Sequence, residues 1–306
     1  MHRGYRLLLL ALLSSAALLG SAAFAQDPPV MTGTPSGNLL VGGSGRVMIL
    51  SPTGDIIWEH KAGLVHDAWM LPNGNVLYAD GTVNEVTRDH KVVLAWQSEV
   101  SGGGGAYGCQ RLANGNTMIA ENSRGRILEV DGQGKVVFTL TVPPAKEGDH
   151  NNLRLARKLR NGNYLVCHKG SNYVGEWTPE GTKVHEYRFD SNVFSAYETP
   201  AGTTLISSLT KLTELDAEGK VVWEFKNSDI PGTRITYMCG TQLLPNGHLV
   251  IGCYAAYNNG EGCGLLEITR DKQLVWRYAR PKADGSLMAV QLLDGDSHLL
   301  PGGDVR

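Results

Sequence analysis

The sequence has no second hydrophobic run. After an apolar stretch from Leu7 to Leu19, no segment is long enough to cross a membrane as a helix. Helical periodicity is missing as well, because no later window repeats apolar residues at i, i+3, i+4 and i+7. Cysteine is sparse, with five residues in 306 and no CxxC, CxxCH or adjacent Cys-Cys pair. That leaves no zinc ribbon and no covalent haem attachment. There is no excess of basic charge, since 28 Lys and Arg face 30 Asp and Glu. Nucleic acid is therefore not an expected partner, because phosphate binding needs a basic surface.

The chain opens with an export pattern. Arg3 and Arg6 precede the apolar stretch, and Ala23-Phe24-Ala25 has the small-x-small form of a cleavage site. Residues 1–25 are expected to be a secretory signal peptide, with 26–306 a single exported domain, periplasmic or extracellular. No lipid-site cysteine or membrane span follows. Without residues 1–25 two arginines are lost and the net charge is about −4.

A turn then repeats along the chain: Ser36-Gly37, Asn73-Gly74, Asn114-Gly115, Asn161-Gly162, Ala201-Gly202, Asn246-Gly247 and Asp294-Gly295. Successive glycines lie 37, 41, 47, 40, 45 and 48 residues apart. Asn-Gly between apolar runs signals a hairpin, because both residues tolerate positive φ. A period of about 40–48 residues with four strands per unit predicts an all-β propeller. Each unit has apolar strands on both sides of the turn. A third strand carries Glu85, Glu129, Glu176, Glu214 or Glu267, and a fourth carries a bulky residue: Trp58, Leu94, Phe138, His185, Trp223 or Trp276. Five units are complete. The N-terminal "NLLVGG", "RVMIL" and "DIIWEH" lack a first strand, and "SLMAVQLL" near the C-terminus supplies one. The expected ring therefore has six blades of four antiparallel strands, closed by N- and C-terminal strands; seven is the alternative if "DSHLL" starts another unit.

Residues present in every blade solve a packing problem that every blade shares. The small residues Ala68, Cys109, Ala156, Ala196, Thr241 and Ala289 are expected where inner strands converge on the channel, and the repeated glutamates are expected to bond to a neighbouring blade. Residues particular to one blade are free for function. These cluster before strand one and at the end of strand two, which a hairpin brings to one face of the ring, around the channel mouth. The expected site holds His66, Asp67, Tyr107, His150, Asn152, Arg154 and Tyr237 from the first set, and Asp80, Glu121 and His168 from the second. His66 and His150 are the candidates for catalysis. A one-step change of register would turn His168 to the other face.

Cys253 and Cys263 flank an insertion, "YAAYNNGEG", at its base. In an oxidising compartment they are expected to form a disulfide, worth about 2–3 kcal/mol for so short a loop. Cys109, Cys167 and Cys239 read as small buried residues.

The units "VMILSPTGDIIWEHKAG" and "LTELDAEGKVVWEFKNSD" resemble the repeats of quinoprotein-like (PQQ-like) propellers. The resemblance spans most of residues 38–295 and implies that the strand-four Trp docks on the next blade; it also brings PQQ into view as a cofactor. The phrase "HDAWMLPNGN" is similar to one in arylsulfotransferase-like propellers, which are exported and six-bladed. That likeness implies sulfuryl transfer through a histidine, with His66 and the His150-Asn151-Asn152 run as the matching residues. Three functions follow. The first is a non-catalytic propeller that binds a small molecule, a glycan or a protein partner at its mouth, with no cofactor. The second is an arylsulfotransferase-like enzyme. The third is a hydrolase holding a divalent metal through Asp67, Asp80, Glu121 and the histidines.

Overall fold

A computed structural model describes residues 30–100, 104–143, 146–233, 235, 237–254, 264–279 and 285–306. The segment 1–25 and Cys263 lie outside them; Cys253 is buried. Among the described residues, regular structure is strand apart from three short 3-10 turns. The protein is a β-propeller with four-stranded antiparallel blades.

Four blades are discrete sheets. The first joins Asp67–Met70, Val76–Ala79, Thr82–Val86 and Val92–Gln97. The second joins Ala106–Arg111, Thr117–Glu121, Arg126–Val130 and Val136–Thr141. The third joins Ala156–Lys158, Tyr164–His168, Tyr173–Trp177 and Lys183–Arg188. The fourth joins Val193–Glu198, Thr204–Ser208, Lys211–Leu215 and Val221–Lys226. Their registers carry the repeat. Glu85, Glu129, Glu176 and Glu214 pair with Leu94, Phe138, His185 and Trp223, and a bulge follows each glutamate.

The remaining strands form one eight-stranded sheet. One part holds Met238–Leu243, Leu249–Cys253, Leu265–Ile268 and Leu274–Ala279, with Val30–Thr32 added to its outer edge. The other holds Leu287–Leu292, Leu39–Leu50 and Ile56–Leu64, and a single residue pair, Cys253 with Leu287, joins the two parts. Within Leu39–Leu50 the side-chain parity switches. Leu39, Val41, Met48 and Leu50 share one buried cluster, whereas Leu40, Val47 and Ile49 share another. A straight strand would keep odd positions on one face. The chain therefore reverses near Gly45, which is exposed at φ 83°. Leu39–Gly43 pairs with Leu287–Leu292, as the complementary fragments predict, and Ser44–Leu50 pairs with Ile56–Leu64.

The core is distributed between the sheets. Six buried clusters lie at successive junctions around the molecule, each drawing on neighbouring strand sets. Burying one Leu or Ile there contributes about 1.5–3 kcal/mol. Ala68, Cys109, Ala156 and Ala196 belong to these clusters, so their small size serves blade-to-blade contact where inner edges converge. The last turn differs from its expected form. Its left-handed residue is Ser297, φ 65°, instead of Gly295, and Val290 takes the ladder position expected of Ala289. Three of the five repeat glutamates bond to the next blade as the repeat implies, whereas Glu176 and Glu267 bond within their own sheets, Glu176 to Asn161 and Asn163 and Glu267 to His248 and Trp276. Glu85 binds Arg111 of the next blade at 2.5 Å, Glu129 binds Lys158 at 2.5 Å, and Glu214 binds Arg270. Trp58 and Trp223 donate Nε1–H to Arg88 and Arg270 carbonyls on the following blade.

A second clamp recurs on the inner strands. Gln110, Gln242 and Gln291 occupy one repeat position, and their side-chain oxygens accept the backbone N–H of Lys158, Leu292 and Met70 on the next strand set. These N–H groups face the channel, where no further strand can pair them. Replacing Gln291 with Ala leaves the Met70 N–H buried without an acceptor. We expect a loss of about 1–3 kcal/mol, measured by urea unfolding against wild type.

Candidate functional site

The mouth is built from one repeat position. Leu71, Leu112, Leu159, Thr199, Leu244 and Leu293 each donate a backbone N–H to the carbonyl of the residue just before strand two. Five residues earlier stand His66, Tyr107, Arg154, Phe194, Cys239 and Met288. Tyr107, Phe194 and Met288 are the extra residues of β-bulges in their strand-one ladders. A bulge re-aims one side chain. In these blades it frees the residue at this position from the blade's own alternation.

The six side chains close on one another. His66 and Tyr107 rings lie 4.1 Å apart, the Arg154 guanidinium lies 4.5 Å over Tyr107, and its Nη1 donates to His66 Nδ1 at 3.1 Å. Phe194, Cys239 and Met288 form an apolar cluster opposite. The space enclosed by His66, Arg154, Leu155, Phe194, Cys239 and Met288 is about 10 Å³. That is room for about one water molecule, so a larger ligand rests on the ring instead of entering it. His150 reaches the ring from a loop, where its Nδ1 is hydrogen-bonded to the Tyr107 hydroxyl at 2.5 Å. Lys169 stands nearby, holding Asn151 at 3.0 Å. Tyr237 flanks Phe194 edge-on, with centroids 5.9 Å apart.

The electrostatics are one-sided. Burial, then the charges of Arg154, His150 and Lys169, hold His66 well below its ordinary pKa. His150 is lowered by burial, Lys169 and Arg154, against the opposing pull of Asp149. Lys169 is pushed down to about 8, chiefly by burial and then by Arg154. Arg154 has no carboxylate partner among the described residues, and its Nε is buried without a hydrogen bond. Arg154 also fixes the tautomer of His66. Arginine only donates, so neutral His66 accepts at Nδ1 and carries its proton on Nε2. The His66 lone pair is thereby occupied. Burial raises the Tyr107 pKa, so the phenol keeps its proton and shares one hydrogen bond with His150 Nδ1.

The other expected site residues have separate places. Asp67 lies beneath the ring, fully buried. Arg157 binds it through two nitrogens at 2.9 and 3.2 Å, Arg306 at 3.2 Å, and the Cys109 N–H at 3.2 Å. Both guanidiniums lie over the Trp69 ring. Asp80 accepts the Gly63 N–H and the Thr82 hydroxyl. Glu121 pairs with Arg126 at 2.6 Å. Asn152 ties its own loop by bonding Lys146 and the Asn122 carbonyl. His168 is in the core, stacked on Tyr173 at 4.2 Å and accepting from Trp177 Nε1. The carboxylates expected to hold a metal are thus engaged separately, and among the described residues no three His, Cys, Asp or Glu side chains gather around one point. Sequence reading missed Phe194, Met288 and Arg157. For Phe194 the signal is its place eight residues before the turn glycine, which it shares with His66, Tyr107, Arg154 and Cys239; Met288 departs from that spacing because the last turn is irregular.

No family model matches the chain, and no curated protein matches it in sequence. Solved structures do match. A protein of unknown function from Bacteroides caccae is similar over 85% of this chain and 98% of its own, with 23% identity and a TM-score of 0.73. A catalytically inactive virginiamycin B lyase from Staphylococcus aureus, solved with quinupristin, is similar over 88% and 92%, with 12% identity and a TM-score of 0.58. The WD40 propeller domain of Doa1 covers 88% and 84%, at 14% identity and a TM-score of 0.52. At these identities the likeness is one of fold, and the fold is a β-propeller.

Two measurements follow from the buried charges. Asp67→Ala leaves Arg157 and Arg306 in the channel without their shared counter-charge, and should cost about 3–5 kcal/mol in urea unfolding. His66 and His168 titrate below their unfolded value, His168 at about 3, both mainly through burial. Below about pH 6.5 the unfolded chain binds more protons than the folded one, so stability falls as pH falls from there, by up to about 1.4 kcal/mol per unit for each group. Unfolding curves between pH 7.5 and 4.5 should show this slope, and His168→Gln should make it shallower by removing one of the two contributions.

Proposed function

We propose that the protein is an exported six-bladed propeller that binds, without transforming, a small anionic molecule or an acidic sugar at the His66 mouth. Six junction clusters and six equivalent mouth positions support the blade count, and the pattern around Arg3, Arg6 and Ala23-Phe24-Ala25 supports export. The observation that carries the function is Arg154. It is a half-buried guanidinium with aromatic faces around it, no carboxylate partner among the described residues, and the Lys169 ammonium close enough to repel it. An anion on the ring relieves that repulsion and takes charge-assisted hydrogen bonds from Arg154 and Lys169. The aromatic and apolar half of the ring, with Tyr237 beside it, suits the flat face of a sugar or an aryl group. The occupied lone pair on His66 favours binding over sulfuryl transfer, because a nucleophilic imidazole needs one free.

Thermal shift and calorimetry with inorganic sulfate, an aryl sulfate and glucuronate, each against an uncharged counterpart, test this reading. The anions should raise the melting temperature; at one hundred times Kd, binding adds about 2.7 kcal/mol. Arg154→Ala should abolish the effect. Uncharged ligands binding as well as the anions would overturn the assignment, and so would phenol released from the aryl sulfate in a His66-dependent way.

A further inference from the structure

A second cluster lies on the outer surface, far along the blades from the mouth. The strand Ile56–Leu64 carries Trp58 and His60 on one side, and the turn between Thr82–Val86 and Val92–Gln97 brings His90 against both. The Trp58 and His90 rings are parallel within 4°, with centroids 5.5 Å apart. His60 and His90 are also 5.5 Å apart and within 15° of parallel, so the rings meet edge to edge with their Nδ1 atoms 3.3 Å apart. That distance is longer than the usual N–H hydrogen bond of about 2.9–3.0 Å. It is close to the separation, about 3.4 Å, of two nitrogens bound to one tetrahedral ion at about 2.0–2.1 Å.

The backbone supplies an independent observation. His90 sits at φ 68°, in the left-handed region. The same turn position, whose N–H bonds back three residues, is Gly54, Gly134, Gly181 and Gly219 in four other units. Lys272 is the other exception, and its side chain makes an ion pair with Asp229 at 3.0 Å. A side chain in this conformation is strained where glycine would not be, and the strain at His90 places its imidazole against His60. Asp80 adds negative charge that favours a cation at His60, while the Arg88 guanidinium is held over Trp58 at 5.1 Å.

We propose that His60 and His90 bind one late first-row transition ion through their Nδ1 atoms, with Cu2+ held more tightly than Ni2+ or Zn2+. Both rings must carry their proton on Nε2 and turn about χ1 and χ2 to bring the two Nδ1 lone pairs to bear on one ion. Among the described residues no third His, Cys, Asp or Glu joins the pair, so water fills the remaining positions. Imidazole nitrogens suit copper, nickel and zinc and disfavour Mg2+ and Ca2+, and the affinity order follows the general series for such donors.

Tag-free protein titrated with Cu2+, by calorimetry and tryptophan emission together, tests the site. One equivalent should bind and quench part of the emission, because Trp58 is stacked on a ligand. His90→Gly should weaken binding at least tenfold and remove the quenching, while the melting temperature stays level or rises, since glycine fits the turn. His60→Ala should lose the binding equally, and Mg2+ should compete in neither case. Failure of wild type to bind Cu2+, or a His90→Gly variant that binds with wild-type affinity and quenching, would overturn the proposal.

Discussion

The inner strands of a propeller converge until their edges face each other with no strand left to pair them. Every buried backbone N–H on those edges still needs an acceptor. This constraint organises the centre of the molecule. Gln110, Gln242 and Gln291 reach across to the next strand set and accept the orphaned N–H groups of Lys158, Leu292 and Met70. Asp67 does the same for Cys109. It brings a charge with it, and Arg157 and Arg306 are buried beside it as a consequence. Convergence also sets side-chain size. A Cβ on Gly108 would stand 3.3 Å from the backbone of Leu155 and Ala156, so the neighbouring blade approaches only because nothing projects there.

The mouth ring is where this economy relaxes. One residue per unit turns out of the blade's alternation, in several units through a bulge, and the ring can then differ from blade to blade without disturbing the junction cores. The result is divided into two halves. His66, Tyr107 and Arg154 make a cationic, aromatic side, and Phe194, Cys239 and Met288 make an apolar one. Burial keeps the histidines neutral, so the fixed positive charge of the mouth rests mainly on Arg154 and Lys169. The close contact of the six side chains makes the ring a floor for a ligand instead of a passage through the molecule.

Repetition made much of this legible in one dimension. The spacing of the Asn-Gly turns gives the blades, and the glutamate before each large apolar residue gives the register that places Glu129 opposite Phe138 and Glu214 opposite Trp223. His66, Tyr107, His150 and Arg154 could be grouped because hairpins return strand-one starts and strand-two ends to one face. His168 could not be placed, because its direction depends on a single step of register, and the structure puts it in the core against Tyr173 and Trp177. Asn152 reads like a site residue by type, yet its amide is consumed by its own loop.

By itself the sequence determined the strands, the turns and the face on which variable residues gather, because these follow from local periodicity and from glycine and asparagine at fixed intervals. Only the tertiary structure decided which polar side chains remain available. Asp67 and Arg306 are separated by 239 positions, and nothing local marks them as partners. His60 and His90 meet because adjacent outer strands and turns stack, at a distance that no spacing rule encodes. Charges and hydrogen bonds are settled by what lies within a few ångströms, and in a propeller those neighbours come from strands far apart in the chain.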